Sequence, residues 1–235
     1  MSVVALVLAA GRGERLGSPL PKAFVPVAGL PLLLHTLAAL ARVREIDCVV
    51  PVVAAADRAR FEALAPALAR IPKLAPAVTG GAERQDSMQA GLASLGGDVT
   101  LVAVHDAARP FVRARDVARV IEAAREVGAA LLAVPVIDTI KRVRGGRVVE
   151  TPERSECWAA QTPQAFRIDV LREALAKAID AGVRATDDVQ LVERLGLPVA
   201  VVEGDPGNIK ITRPEDFAPA QARLAEIAES EETAI

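Results

Sequence analysis

Apolar residues recur along this chain in two rhythms. Runs dominated by aliphatic and β-branched residues occur at 3–8, 48–54, 100–104 and 129–136, with weaker stretches at 73–78, 199–202 and 209–212, the first and last of which include a lysine. Such runs suit strands buried on both faces of a parallel sheet. Between them lie stretches with apolar residues every three or four positions, which predict helices over 32–42, 57–70, from near 83, and over 116–127, 168–181, 187–195 and 214–227. Pro31 and Pro214 sit where helices can start, Asp57 and Asp116 are candidate N-caps, and Gly182 and Gly196 fall where helices stop. The alternation predicts an α/β fold, Rossmann-like, with a mostly parallel sheet flanked by helices.

The alternation breaks once. Residues 138–158 hold two short runs on either side of Gly145-Gly146, which reads as a β-hairpin projecting from the body. The chain is accordingly expected to be one unit over 1–235, with an arm at about 137–158. An isolated two-stranded hairpin is marginal in water, so the arm is expected to pack against something. Spacing leaves open whether that is its own body or another subunit.

Composition narrows the field. The chain has 235 residues, 51% hydrophobic and 25% charged, with a net charge of -2. This is a globular profile without the basic excess that broad nucleic-acid binding requires. No apolar run reaches the ~20 residues of a membrane span. Cys48 and Cys157 are far apart and lack metal or redox spacing. With no secretory pattern before the first strand, a cytoplasmic setting is expected. Cys48, inside an apolar run, is expected to be core packing.

The candidate chemistry lies at strand ends. The first run ends in Ala9-Ala10-Gly11-Arg12-Gly13, followed by Arg15 and Lys22 with Pro19 and Pro21 near the last cation. Near-bare backbone amides followed by cations suit an anion. The loop lacks the Gly-Lys-Ser/Thr ending of a P-loop, and Leu16 stands where a dinucleotide fingerprint needs its third glycine. Thr79-Gly80-Gly81 repeats the arrangement before a helix whose first turn carries Arg84 and Ser87. His105-Asp106-Ala107-Ala108-Arg109-Pro110 closes another strand, where open parallel sheets bind ligands. A carboxylate at Asp106 is a candidate ligand for a hard cation, with a turn cap paired to Arg109 as the alternative. His35 and His105 are expected to be structural.

The loop at 9–22 resembles the G-x-G-x-R…P-K signature of nucleotidyltransferases. With GGAERQDS at 80–87, HDAARP at 105–110, DTIK at 138–141, QTPQ at 161–164, TDD at 186–188 and NIKITRPED at 208–216, the chain resembles the 2-C-methyl-D-erythritol 4-phosphate cytidylyltransferase family nearly end to end. The resemblance implies transfer of CMP from CTP to that polyol phosphate, release of pyrophosphate, and Mg2+ as cofactor. It implies catalytic roles for Arg15, Lys22, Arg154 and Lys210, and an acceptor pocket of Asp106, Arg109, Thr139, Thr162 and Thr186. Nucleotide contacts fall on Leu8, Ala9, Ala10, Gly11, Gly13, Gly81, Ala82, Arg84 and Ser87, and the metal ligand on Asp106. It also implies a homodimer whose arm brings Thr139 and Arg154 to the partner's site. A ribitol 5-phosphate cytidylyltransferase and a non-catalytic nucleotide-binding regulator are the alternatives. Leu8, Ala82 and Asp188 depart from the family's commoner proline, acidic residue and glutamate.

Overall fold

The apolar runs do become the middle of a sheet. The computed structural model describes residues 2–11 and 20–232, with side chains to 227. The chain forms β1 (Ser2–Leu8), a small hairpin of β2 (Pro26–Val27) and β3 (Leu30–Pro31), then α1 (Leu32–Ala41), β4 (Cys48–Val53), α2 (Arg58–Glu62) and α3 (Ala65–Leu68). It continues through β5 (Val78–Thr79), α4 (Arg84–Ala93), β6 (Val99–Asp106), α5 (Ala114–Val127) and β7 (Ala129–Pro135) to the hairpin β8 (Arg142–Arg144) and β9 (Arg147–Glu150). The remainder is β10 (Trp158–Arg167), α6 (Ile168–Asp180), α7 (Val189–Glu193), β11 (Ala200–Glu203) and α8 (Phe217–Glu232).

Seven strands pair in the order β11-β7-β10-β6-β1-β4-β5. All pairings are parallel except those of β10, which runs antiparallel between β6 and β7. The arm explains this reversal: β7 leads directly into it at one end of the sheet, so the chain returns beside β7 without a crossover helix. One face of the sheet packs Leu33, Leu37, Leu40, Val120 and Ile121 of α1 and α5. The other packs Met88, Leu92, Leu171, Leu191 and Phe166. A smaller cluster joins Leu32, Phe111, Ile211 and Leu224, which docks α8 and the segment before it against the turn after β6.

Several expected elements differ, each for a local reason. The helix expected over 57–70 is a 3-10 turn and two short helices, because Pro66 lies in the first turn of α3 and has no amide to continue a helix. Asp57 makes no capping bond and pairs with Arg60. The strand expected over 73–78 reduces to Val78–Thr79 plus one bridge from Leu74 to Val49, with Lys73 at a positive φ of 59°. Arg113, not Asp116, is the N-cap of α5. The 187–195 helix shortens to Val189–Glu193, and 209–212 forms no strand, its backbone meeting the turn after β6 through Ile211 N to Ala108 O (2.9 Å). Residues 26–31, ahead of α1, form the β2–β3 hairpin. The whole of β10 was hidden by Pro163 and its polar neighbours, which mark a sequence as a poor central strand.

The projecting hairpin forms as expected. Gly145 and Gly146 hold φ of 57° and 74°, the pair of positive values that a type I′ turn needs. Every residue of β8 and β9 is exposed.

One polar side chain is buried completely at the end of β6. His105, 0% exposed, donates from Nε2 to the Arg109 carbonyl (3.0 Å), so Nδ1 is left to accept the Thr162 hydroxyl (3.0 Å). His35 is likewise structural, its Nε2 being 2.8 Å from the Val27 carbonyl. Burial pushes the His105 pKa down from 6.5 to about 4, so the unfolded chain binds a proton that the folded ring refuses between those values. Stability to urea is therefore expected to fall as pH drops from about 6.5 towards about 4, by up to about 1.4 kcal/mol per pH unit from this ring. A His105→Asn protein should lose that part of the slope, and an equal slope in both proteins would contradict it.

Candidate active site

Three strand ends reach one level and leave a hollow above them. Leu8 of β1 lies beside Val52 of β4 and Asp106 of β6. Backbone bonds extend the pairing past the strands, from Ala9 N to Val52 O (2.8 Å), Ala107 N to Leu8 O (3.1 Å) and Gly80 N to Val53 O (2.8 Å). The floor is made by residues with almost no side chain, Ala9, Ala10, Gly11, Ala107 and Ala108. Gly80 is needed there because a Cβ would lie 2.8 Å from both Ala10 Cβ and Ser87 Oγ. The result is a cavity of about 610 Å³, also walled by Leu8, Ala82, Glu83, Arg84, Ser87, Lys22 and Lys210.

A second hollow of about 180 Å³ adjoins it, lined by Arg109, Ala160, Gln161, Thr162, Gln164, Thr186 and Asp187. Arg84, Asp106 and Lys210 line both. Asp106 is 8% exposed, and its carboxylate takes Lys210 Nζ at 2.7 Å and Arg84 Nε at 3.4 Å. Burial alone would raise its pKa, but Arg84 and Lys210 overcome that and hold it well below the usual carboxylate range. Asp106 is thus an anion, and its partners are Lys210 and Arg84, not Arg109.

Arg84 is itself held from behind. Its two terminal nitrogens form a fork onto Asp188, with Nη2 to Oδ2 at 2.7 Å. Burial opposes its charge, and the two carboxylates more than restore it, so the guanidinium stays protonated above its ordinary range. Asp188, 2% exposed, is pushed up by desolvation with Arg84 opposing. Gln164 Oε1 accepts the backbone amides of Asp188 and Val189 (2.9 and 3.1 Å), fixing this corner to β10. Arg84, named above as a nucleotide contact, lines the larger hollow with its fork on Asp188 and its Nε toward Asp106.

Arg109 and Thr162 line the second hollow but much of their capacity is used internally. Arg109 donates to the Asn208 carbonyl (2.6 Å) and the Ala160 carbonyl (3.3 Å). The Thr162 hydroxyl donates to His105 and accepts the Asp106 amide (3.1 Å), leaving one lone pair for anything else. Ser87 spends its proton on the carbonyls of Glu83 (3.1 Å) and Gly81 (3.4 Å).

Of the residues named from sequence, Leu8, Ala9, Ala10, Gly11, Lys22, Ala82, Arg84, Ser87, Asp106 and Lys210 meet around the larger hollow, and Arg109, Thr162 and Thr186 around the smaller. Gly81 closes the turn before α4, its carbonyl near Ser87. Thr139 and Arg154 line neither: Thr139 is exposed on the arm, and Arg154 donates to the Ile137 carbonyl at 3.1 Å. Gly13 and Arg15 lie outside the described residues. Sequence reasoning missed the side-chain roles of Gln161, Gln164, Asp188 and Asn208. A signal was present, since QTPQ sets two amides in a segment otherwise bounded by apolar residues.

Among the described residues no group of three His, Cys, Asp or Glu side chains is placed to hold a metal ion. Asp106 offers a hard cation one ionised carboxylate, which fits an ion that takes its other oxygens from phosphate and water. Lys210 is on Oδ2 of that carboxylate and Arg84 on Oδ1, so ion and cations would share it.

The chain matches the family model of 2-C-methyl-D-erythritol 4-phosphate cytidylyltransferase over residues 3–226. A protein of that name from Geobacillus kaustophilus is 47% identical over 225 residues, covering 96% of this chain and 98% of its own. The crystal structure of 4-diphosphocytidyl-2C-methyl-D-erythritol synthase from Anaerococcus prevotii superposes with a TM-score of 0.84 at 32% identity, covering 95% of this chain and 98% of the other. The cytidylyltransferase structure from Thermus thermophilus gives 0.75 at 40% identity, covering 94% and 98%. With a family model spanning almost the whole chain, relatives close to half identical and a sheet of the same design, this chain belongs to the 2-C-methyl-D-erythritol 4-phosphate cytidylyltransferase family.

Proposed function

We infer that this chain transfers the cytidylyl group of CTP to 2-C-methyl-D-erythritol 4-phosphate, releasing pyrophosphate, as a step of non-mevalonate isoprenoid precursor synthesis. The observation that carries this reading is a pair of adjoining hollows that share Asp106, Arg84 and Lys210, a large one fit for a nucleotide and a small one fit for a polyol phosphate. Family membership supplies the identity of the two substrates.

The attacking group is a phosphate monoester, already anionic at neutral pH because its second pKa is about 6. No general base is needed. His105 could not serve as one, being sealed in the body with both ring nitrogens engaged. What the reaction requires is fixed positive charge where two anions meet. Lys22 stands in the larger hollow and Lys210 at the boundary, so we assign Lys22, with Arg15, to the triphosphate and Lys210 to the approaching monoester and the charge that develops between them. Asp106 would hold Mg2+, which would supply neutralisation of phosphate charge. Arg109, Thr162 and Thr186 frame the acceptor.

The arm completes the proposal. Thr139 and Arg154 line neither of the two hollows, and the arm exposes Val143, Val148 and Val149 at 56%, 60% and 51%. We assign the arm to a homodimer in which these residues serve the partner's site. No helix among the described residues is long and apolar enough to cross a membrane, and we place the enzyme in the cytoplasm.

Pyrophosphate release from CTP and Mg2+ should be faster with 2-C-methyl-D-erythritol 4-phosphate than with ribitol 5-phosphate. The reverse order would remove the substrate assignment. Lys22→Ala and Lys210→Ala are each expected to lower kcat by about 10²- to 10³-fold, the scale of one lost transition-state donor. Turnover unchanged in either would refute the electrostatic reading. Mixed equally, Lys22→Ala and Arg154→Ala proteins should recover about a quarter of wild-type activity, since random pairing makes one dimer in two mixed and each mixed dimer has one intact site. Recovery no greater than the sum of the separate stocks would count against the shared arm.

A further inference from the structure

Lys210 joins the two hollows, yet it lies on a segment with no regular structure between β11 and α8. A lysine has a long flexible stem, so the place of its ammonium depends on how firmly the backbone beneath is held. Ile211 gives one anchor, through its amide on the Ala108 carbonyl and its 0% exposed side chain. The other anchor is Asn208, 1% exposed and two residues before the lysine.

We propose that Asn208 is a positioning residue for cytidylyl transfer, setting Lys210 against Asp106 by closing a ring of hydrogen bonds with Thr162, His105 and Arg109. The proposal rests on the functional reading above for what Lys210 does, and on geometry alone for how it is held. The Asn208 amide donates to the Thr162 carbonyl (2.9 Å) and to Gln161 Oε1 (3.1 Å). The Thr162 hydroxyl donates to His105 Nδ1 (3.0 Å), His105 Nε2 donates to the Arg109 carbonyl (3.0 Å), and Arg109 donates to the Asn208 carbonyl (2.6 Å). The circuit therefore closes. It joins the end of β6 that carries Asp106, the middle of β10 and the segment that carries Lys210.

The chemistry demands an amide at this position. Carbonyl oxygens only accept, so Thr162 fixes the Asn208 nitrogen toward β10, and the Gln161 amide, donating to the Asp205 carbonyl (2.9 Å), must turn its oxygen toward Asn208. Two acceptors face Asn208 and two N–H groups meet them. An aspartate would put oxygen against oxygen, and an apolar residue would leave both acceptors buried without donors. Asn208 Oδ1 is buried with no hydrogen-bond partner among the described residues, so the side chain is kept for its two donors at the cost of a stranded acceptor.

The test asks whether Asn208 acts through Lys210. Asn208→Ala and Asn208→Asp would be measured by steady-state CMP transfer in wild-type, Lys22→Ala and Lys210→Ala backgrounds, with Asn208→Ser as the milder variant should the others fail to fold. The expected result is a loss of about 10- to 100-fold in kcat in the first two backgrounds, a KM for CTP within about threefold, and a loss under about twofold when Lys210 is already absent. An equal loss in all three backgrounds would mean a general structural role and overturn the proposal. A second readout needs no turnover. Trace amine acetylation followed by mass spectrometry should label Lys210 several-fold faster in the Asn208 variants, with Lys177, paired to Glu173 on an exposed helix face, as the unchanged reference. Unaltered labelling of Lys210 in a folded variant would also overturn it. Wild-type protein that transfers no CMP would instead defeat the functional reading, and the labelling would still decide what Asn208 does.

Discussion

A carboxylate almost sealed from water has to be met by cations, and in this protein that carboxylate is Asp106. Its place is fixed by β6, a strand with no freedom to shift because β1 and β10 pair with it on either side. Removing an ion from water costs several kcal/mol, so Lys210 and Arg84 are needed as much for the integrity of this corner as for ligands. They come from segments more than 100 residues apart in sequence. The demand for charge compensation thus draws the start of α4 and the segment after β11 to one strand end, and the two hollows form around the place where they meet.

The two cations differ in what they can do there. Arg84 is gripped by the fork to Asp188, and a planar guanidinium held at two points is a fixed charge. Lys210 is a compact charge on a flexible stem with one carboxylate partner and side-chain exposure of 39%. An incoming phosphate competes for the ammonium more easily than for the guanidinium. On the inferred reaction, Arg84 shapes the wall while exchange of partners from Asp106 to phosphate falls to Lys210, which is why the backbone beneath Lys210 must not drift.

Much of the fold was legible because both-face burial leaves long apolar runs, and β1, β4, β6 and β7 are such runs. β10 was not legible: its pairing is set by the return of the chain from the arm, while Pro163 and three polar side chains, Gln161, Thr162 and Gln164, speak against a central strand locally. The same split holds at the site. Asp106 and Lys22 could be picked out because cations and a carboxylate beside small residues mark a strand end, whereas Lys210 was visible only through the motif at 208–216. The tie between Arg84 and Asp188 spans 104 positions and leaves no local trace. Asn208 was visible only as a letter in a motif, since its meaning depends on two acceptors supplied by β10.

On the inferred reaction, one hydroxyl bears on the choice of base. Ser87 sits in the first turn of α4 at 2% exposure and directs its proton to the helix carbonyl of Glu83. What it can offer a base in the larger hollow is therefore a lone pair, not a donor. The exocyclic amine of cytosine has a proton to give to such an oxygen, whereas the corresponding carbonyl of uracil would set lone pair against lone pair. Gly80 adds to this by its lack of a side chain, since any Cβ would press on Ser87 Oγ and turn it. On the inferred reaction, the choice of cytosine over uracil falls to a helix-start hydroxyl whose direction is set by backbone geometry, with no charged group needed to distinguish the two bases.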